Sequence, residues 1–313
     1  MGAYIAGRLF ATLIVMAVVG VIVFLLLHLA PGSPAAILAG DNVTPAQIAQ
    51  INHELGLDRP LPVQFGLWAG NVLRGRFGTS IFSGAPVMEL IRERMPATIS
   101  LTLITIVFAA SLAVSAGLLA AWRAGGFLDR VLMGVAALGF SVPVFVVGFL
   151  LIYLFAIKLR WLPVQGYVPL SQGVWPWFSH LILPAFALGL AYLALIARIT
   201  RASVLEILSE DYMRTARAKG ATTTSQLFHH ALRNAGVPIV TVIGIGIALL
   251  ISGVVITETV FNIPGVGRLT VDAITNRDYP IIQGVMVVFS GAYVIINLLV
   301  DLSYTLIDPR IRR

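Results

Sequence analysis

The amino-acid sequence predicts an all-α integral membrane protein with six transmembrane helices. Of its 313 residues, 58% are hydrophobic and only 11% are charged, and the mean hydropathy is +0.93. A soluble domain carries about 45–50% apolar and about 25% charged residues. The chain also contains separate apolar segments long enough to cross a bilayer, which takes about 20 residues of helix. The composition and the segment lengths therefore both place the chain in a membrane.

Six apolar segments have this length, and we interpret each as one transmembrane helix. They are 9–29, 97–121, 131–157, 181–197, 237–260 and 281–300. The fourth segment is short and is completed by the residues that flank it. The first is interpreted as an uncleaved span, because its apolar run is too long for a typical signal peptide. No charge lies near the middle of a segment, and we expect water to reach both Glu258 and Asp301 near segment ends.

The distribution of Lys and Arg predicts that both termini face the cytoplasm. Short cytoplasmic loops carry an excess of these residues, whereas loops beyond about 60 residues are exempt from the rule. Twelve of the 21 basic residues lie on the face that holds the termini and the 198–236 loop, and four lie in short loops of the opposite face. The net charge of +7 is thereby explained by topology and lipid headgroups. No nucleic acid is expected as a partner.

The long loop after the first span is expected to form a small helical region on the outer face. A capped helix is predicted over 44–56, with Thr44 as N-cap and Gln47 closing a capping box. Further helices are expected at 62–73 and 86–94. The predicted domains are an N-terminal span (1–30), the outer helical region (31–96), a five-helix core (97–303) that contains a cytoplasmic loop (201–236), and a cytoplasmic tail (304–313).

The sequence offers no catalytic or metal-binding constellation. It lacks the GxxxxGK[ST] pattern of an ATP-binding phosphate loop. The segment PGVGRLT at 264–270 resembles such a loop but has no Lys, and we interpret it as a tight turn. The five histidines show no ligand spacing, and there is no cysteine. The chain is therefore expected to be neither an ATPase nor another enzyme, and an intramembrane hydrolase is the most distant alternative.

Small and helix-breaking residues occur within the predicted spans and favour kinks and close helix packing. The candidates for a transport path come from the third and fifth spans and are Phe140, Ser141, Pro143, Ser252 and Glu258. A self-sufficient carrier driven by an ion gradient remains as an alternative. It is disfavoured because such carriers usually place acidic residues deeper in the membrane.

The segment EDYMRTARAKGATTTSQLFHHALRNA at 210–235 is polar between two apolar spans. It predicts a helix that ends at Gly220 and a second helix at 225–234, with Thr222 or Thr224 as the new N-cap. One interpretation is a solvated loop that its positive charge keeps on the cytoplasmic side of the membrane. The small residues Ala216, Ala218 and Gly220 favour a second reading, because they permit close approach of another protein.

This segment resembles the cytoplasmic EAA loop of binding-protein-dependent ABC importer permeases, in the dipeptide, oligopeptide and nickel branch (the DppB/OppB type). Further motifs of that family follow in its order along the whole chain. They are LAPGSPAA, LGLDRPLPVQF, GRFGTS, FSVPVF, ETVFNIPGVGRLTVDAITNRDYPIIQG and NLLVDLSYTLIDPRIRR. The chain departs from the family pattern at Arg214, where the general EAA motif has an acid, and at Ser33, where the family usually has Asp.

The resemblance implies a type I ABC importer permease fold and a coupling helix that docks in a cleft of a separate ATPase subunit. The coupling residues would be Asp211, Arg214, Thr215, Ala216, Arg217, Ala218, Lys219 and Gly220. ATP and Mg would be held by two ATPase subunits or domains and not by this chain. The other implied partners are a second homologous permease, a periplasmic or lipid-anchored solute-binding protein and the lipid of the bacterial inner membrane. Peptides are the expected solutes, with nickel chelates, glutathione or sugar-like solutes as alternatives.

Overall fold

A computed structural model describes residues 2–29 and 58–307, and these residues form helices joined by short loops. The all-α prediction is confirmed. The described α-helices are α1 (Gly2–Leu29), α2 (Leu61–Leu73), α3 (Val87–Trp122), α4 (Phe127–Ser141), α5 (Val144–Leu151), α6 (Val174–Ser209), α7 (Asp211–Ala218), α8 (Thr223–Ser225), α9 (Gly236–Val260), α10 (Val266–Thr275) and α11 (Tyr279–Ile307). A π-helix continues α5 over Ile152–Lys158, another continues α8 over Gln226–Leu232, and a short 3-10 helix covers Leu170–Gln172.

The transmembrane helices predicted from hydropathy are present as helices. In the described chain α1, α3, α6 and α11 are each long and apolar enough to cross a membrane. Two further candidates are bent pairs, α4 with α5 and the 223–232 helix with α9. The count reaches the predicted six when each bent pair is one span.

The third predicted span, in which Ser141 and Pro143 were expected to permit a kink, is broken into two helices. The helices α4 and α5 meet at an angle of 105°. Pro143 has no N–H to donate, and its ring disfavours a helical conformation at the residue before it. Val142 is accordingly extended, with φ −92° and ψ 127°. The predicted kink residues Ser141 and Pro143 therefore mark a sharp break in the chain.

The helical region after α1 is only partly described. The capped helix predicted at 44–56 lies outside the described residues. The helix predicted at 62–73 is confirmed as α2. The helix predicted at 86–94 is not separate, because α3 begins at Val87 and continues through Pro96 to Trp122.

The chain divides into two compact units, of which the first comprises the described parts of 1–94 together with 269–294. An aromatic cluster joins α1 to α2, with the Phe24 ring 5.5 Å from the Phe65 ring and 5.8 Å from the Trp68 ring. The side chain of Gln283 donates a 3.0 Å hydrogen bond to the Val23 carbonyl. Aromatic packing and one buried amide thus join α1 to α2 and α11 within this unit.

The second unit comprises 95–268 and 295–307 of the described chain, and α6 lies at its centre. Fully buried apolar side chains of α6, such as Leu181 and Leu188, contribute to one of its hydrophobic clusters. Glycines bring the neighbouring helices close to α6. A Cβ at Gly117 of α3 would lie 2.6 Å from the Ala197 carbonyl oxygen, and one at Gly253 of α9 would lie 2.6 Å from Leu188. The close packing expected of small residues in membrane helices is therefore present.

Candidate functional site

The predicted coupling segment forms the eight-residue helix α7, which ends in a Schellman motif. Gly220 has a φ of 86°, a left-handed conformation that glycine adopts without strain. Its N–H donates to the Arg217 carbonyl at 3.0 Å, and the Ala221 N–H donates to the Ala216 carbonyl at 3.1 Å. This pair of bonds is the pattern that closes helix C-termini. The prediction that Gly220 ends the helix is confirmed.

The next helix begins where the sequence predicted an N-cap. The Thr222 hydroxyl accepts a 3.3 Å hydrogen bond from the Ser225 N–H. The helix that follows starts at Thr223 and becomes a π-helix over Gln226–Leu232, a geometry that the prediction of an ordinary helix at 225–234 missed.

Three contacts hold α7 against the neighbouring segment. Met213 is fully buried. The Tyr212 hydroxyl accepts a 3.0 Å hydrogen bond from the Asn234 amide. The Arg217 guanidinium donates to the Gln226 side chain at 3.3 Å, and Gln226 in turn donates to the Ala221 carbonyl at 2.7 Å. The loop is therefore a helix–turn–helix held by specific contacts, and not only a charged, solvated connection.

Most of the predicted coupling residues face outward from this anchored helix. Ala216 is half-buried, and the exposed ones are Asp211, Arg214, Thr215, Arg217, Ala218, Lys219 and Gly220. The Arg214 side chain is 78% exposed and lies 3.3 Å from the Asp211 carboxylate. Such an exposed pair contributes about 0–1 kcal/mol, so Arg214 is readily available to another partner.

Two of the predicted path residues lie together in one cavity. The cavity has a volume of about 350 Å³ and lies between α4 and α6. Phe140 and Ser141 line it beside Arg198 and Arg201 of α6. Pro143 lies two residues further on at the break, and Ser252 is exposed on α9.

Arg201 is joined to Asp129 by a bidentate ion pair. The guanidinium Nε lies 2.6 Å from Oδ1, and Nη2 lies 2.7 Å from Oδ2. Asp129 is only 4% exposed and also accepts a 2.8 Å hydrogen bond from the Gly125 N–H. The pair fixes the beginning of α4 to α6 and satisfies both buried oxygens. Nothing in the local sequence pointed to it, because the partners are 72 residues apart.

Glu258 is fully buried, so the expectation that water reaches it is wrong. Its Oε1 accepts a 2.6 Å hydrogen bond from the Thr98 hydroxyl, and its Oε2 accepts a 2.9 Å bond from the Arg268 backbone N–H. The Thr98 oxygen itself accepts a 2.8 Å bond from the Val266 N–H. A carboxylate is favoured at this place because the first N–H groups of a helix are unpaired and carry partial positive charge.

The segment 264–270 was interpreted as a tight turn, but it leads directly into α10. Its glycines make room for the Glu258 carboxylate. A Cβ at Gly265 would lie 2.0 Å from Oε1, and one at Gly267 would lie 2.9 Å from Oε2. The glycine-rich helix start therefore binds an anion, which the interpretation as a tight turn missed. That anion is a carboxylate of the same chain.

Sequence reasoning missed a third buried acid, Asp278, which lies in the first unit. Its Oδ2 accepts a 2.5 Å hydrogen bond from the Ser80 hydroxyl and a 3.4 Å bond from the Phe82 N–H. Ser80 and Phe82 lie in a turn that has a backbone hydrogen bond of its own, because the Ser80 N–H donates to the Ala85 carbonyl at 2.9 Å. Asp278 and Ser80 fall within two motifs that carried the family resemblance, which was the signal available. Among the described residues no group of His, Cys, Asp or Glu has metal-binding geometry.

Two family models together cover nearly the whole chain. Residues 113–313 match the binding-protein-dependent transport system inner membrane component family, and residues 1–102 match the N-terminal model of such membrane components. The chain belongs to this family. It is an inner membrane component of a binding-protein-dependent transport system, and the resemblance drawn from its motifs is confirmed.

Curated relatives match over their full lengths. A probable peptide ABC transporter permease protein of Sinorhizobium fredii is 64% identical over 312 residues, covering 100% of both chains. A putative peptide transport system permease protein of Brucella abortus is 42% identical, covering 100% of this permease and 99% of the relative. A glutathione transport system permease protein of Salmonella choleraesuis is 43% identical over 310 residues, covering 99% and 98%.

A solved structure confirms the fold class. A chain of the inward-facing MetNI methionine ABC transporter superposes with a TM-score of 0.60 at 17% identity, covering 71% of this permease and 97% of that chain. The permease therefore has the fold of an ABC importer permease.

Proposed function

We propose that this chain is the membrane-spanning permease subunit of an ATP-driven importer for peptides or closely similar solutes. The observation that carries the proposal is the full-length, 64% identity to a relative named as a peptide ABC transporter permease. The relative named for glutathione widens the solute class only slightly, because glutathione is itself a small peptide with free carboxylates. Nickel chelates and sugar-like solutes have no such support among these relatives.

Separate subunits supply the energy. The chain has no phosphate-binding loop with the required Lys, so ATP and Mg are bound and ATP is hydrolysed on two ATPase subunits or domains. A second, homologous permease completes the path, and a periplasmic or lipid-anchored binding protein delivers the solute. Both termini and the loop that contains α7 face the cytoplasm, as the distribution of Lys and Arg predicts.

The helix α7 is the coupling helix that meets the ATPase. Its support is the combination of a buried anchor, Met213, with an exposed opposite face. A helix that transmits force needs both, because a loosely held element would move without moving the span behind it. Of the two arginines, Arg217 is engaged by Gln226, whereas Arg214 has only an exposed neighbour, Asp211. Arg214 is therefore the residue that contacts an acid on the ATPase.

Charge reversal at Arg214 tests this contact. In the complete importer reconstituted in liposomes, Arg214→Glu should lower ATP-dependent uptake and solute-stimulated ATP hydrolysis together by about tenfold or more, the value of one charge-assisted hydrogen bond. Arg123→Glu is the matched control, because Arg123 is also exposed and basic but lies outside α7. Unchanged uptake by Arg214→Glu would show that Arg214 makes no coupling contact.

Among the predicted path residues, Phe140 and Ser141 line the path through the α4–α6 cavity, and Pro143 sets the break that opens it. Ser252 contributes from α9, where it is exposed. Glu258 supports the path without contacting the solute, because its carboxylate is enclosed by Thr98 and the start of α10.

A carrier driven by an ion gradient is the rival function. The buried acids of the second unit argue against it in the described chain, because Asp129 and Glu258 both have partners within the protein. Uptake separates the two functions. The proposal requires uptake that depends on ATP and on the ATPase subunits, whereas uptake by this chain alone under a proton or sodium gradient would refute it.

A further inference from the structure

The cavity between α4 and α6 contains an arginine that has no partner in the part of the chain that the structure describes. Arg198 lines this cavity, its side chain is exposed, and within the described residues it makes no hydrogen bond or ion pair. The neighbouring Arg201 has its charge balanced by Asp129. The cavity therefore carries one unbalanced positive charge, which suits a ligand with one negative group.

The two ends of the cavity differ in chemistry. The contacts of Asp129 with Arg201, and of Gly139 with Leu190, show that α4 and α6 run antiparallel. Arg198 therefore lies towards the beginning of α4, and Ser141 lies at its far end. Between them the lining is apolar, with Met133, Ala137 and Phe140 on α4 and Ala194 and Leu195 on α6.

The far end of the cavity offers hydrogen-bond acceptors. The Ser141 hydroxyl donates to the Ala137 carbonyl at 2.9 Å, which leaves its lone pairs available to accept. The last carbonyls of a helix lack helical partners, and α4 ends at Ser141 because of the break at Pro143. A ligand that fits both ends has an anion at one end and N–H donors at the other.

We propose that Arg198 binds the terminal carboxylate of the transported peptide in this cavity, while the peptide's N–H groups meet the acceptors at the end of α4. The inference rests on the proposed function and adds a specificity-determining residue to it. The planar guanidinium matches a carboxylate, to which it donates two parallel hydrogen bonds. Met133 and Ser141 lie eight positions apart along the helix, about 12 Å, a distance that an extended peptide of about three residues spans.

An anionic lipid is the competing ligand, since its headgroup also carries a negative charge. Its acyl chain would fit the apolar lining but has no donor for the acceptors at the end of α4. A peptide satisfies both ends, so the chemistry of the cavity favours the peptide.

Transport of paired peptides tests the inference. The complete importer is reconstituted in liposomes of zwitterionic lipid with saturating binding protein, and the ATP-dependent uptake of trialanine is compared with that of trialanine amide. For each variant the rate of trialanine uptake is divided by the rate of trialanine amide uptake. This ratio is then expressed relative to the wild-type ratio. The selectivity of the binding protein cancels in this comparison, because the same binding protein serves every variant.

Arg198→Gln should lower the relative ratio by about tenfold, as loss of one charge-assisted hydrogen bond predicts. Arg198→Lys keeps the charge but loses the planar guanidinium, so its ratio should fall less than that of Arg198→Gln. If Arg198→Gln fails to assemble, the ratio of Arg198→Lys tests the inference instead. Arg123→Gln, which removes an exposed charge outside the cavity, should leave the ratio unchanged.

Three results would overturn the inference. An equal fall in the uptake of both peptides in the Arg198 variants would show that Arg198 does not recognise the terminal carboxylate. A loss that occurs only after anionic lipid is added would assign Arg198 to a lipid headgroup. If the wild type moves neither peptide with ATP, the proposed function fails, and that outcome differs from both of the others.

Discussion

The substitution Gly265→Ala tests whether the Glu258 carboxylate holds the start of α10. An added Cβ would lie 2.0 Å from Oε1, 2.2 Å from Cδ and 2.3 Å from Oε2, so the carboxylate and the methyl group cannot both stay in place. The nearest atoms all belong to this one side chain. The substitution therefore acts by displacing the carboxylate.

The displaced carboxylate loses at least two hydrogen bonds, from the Thr98 hydroxyl and from the Arg268 N–H. A hydrogen bond to a charged group contributes about 1.5–3 kcal/mol, so the free energy of unfolding should fall by about 3–6 kcal/mol. That is a large share of the total stability of about 5–15 kcal/mol that proteins have.

Unfolding of the purified permease in detergent measures the effect. The midpoint of thermal unfolding should fall for Gly265→Ala by about 6–24 °C, taking about 2–4 °C per kcal/mol. Gly291→Ala is the matched control, because Gly291 lies within α11 and nothing stands within 4 Å of the added Cβ. This control should be neutral or slightly stabilising, since alanine has the higher helix propensity.

A double-mutant cycle isolates the clash. In a Glu258→Ala background the carboxylate is absent, so Gly265→Ala should cost far less than in the wild type. An equal cost in both backgrounds would refute the reasoning, because the penalty would then arise from something other than the carboxylate. A cost below about 1 kcal/mol in the wild type would refute it as well.

Three further predictions follow from the same structure. Gly220→Ala should lower the unfolding midpoint of the purified permease, because a left-handed φ of 86° costs alanine about 1 kcal/mol; Gly220→Asn should lose less, and equal midpoints would contradict this. Ser80→Ala removes the 2.5 Å hydrogen bond to the buried Asp278 and should destabilise by about 1–3 kcal/mol in chemical unfolding; no change would mean that this bond adds nothing. Gly117→Val should reduce the yield of folded permease in size-exclusion chromatography, because even a Cβ lies 2.6 Å from a backbone oxygen of α6 and 2.7 Å from Thr200; a wild-type yield would contradict the close packing.

Features set by neighbouring residues were predictable from the sequence. The end of α7 at Gly220 and the N-cap at Thr222 both depend on residues within one turn of the position concerned. The membrane class and the positions of the spans depend on summed hydropathy over about 20 residues. The break at Pro143 was foreseen as a kink, but its size was not, because the angle between α4 and α5 depends on what each half packs against.

Features set by distant residues were not predictable. Glu258 looked like a water-exposed acid near the end of a span, yet it is buried because α10 folds back over it and Thr98 approaches from α3. The segment 264–270 looked like a turn because its local pattern does not show that its helix start is occupied by a carboxylate of the same chain. Arg198 and Arg201 looked alike as basic residues at the end of a span. Only the position of Asp129 distinguishes the paired Arg201 from Arg198, which has no partner among the described residues.

The sequence by itself determined that this protein is a membrane permease of known family with a polar, glycine-ended helix between two of its spans. Hydropathy, helix propensity and motif order are properties of the chain, and they need no knowledge of packing. Only the tertiary structure decided which acids are enclosed, which arginine is left for a solute and where the cavity lies. These depend on contacts between helices far apart in the chain, which close packing selects and local sequence does not specify.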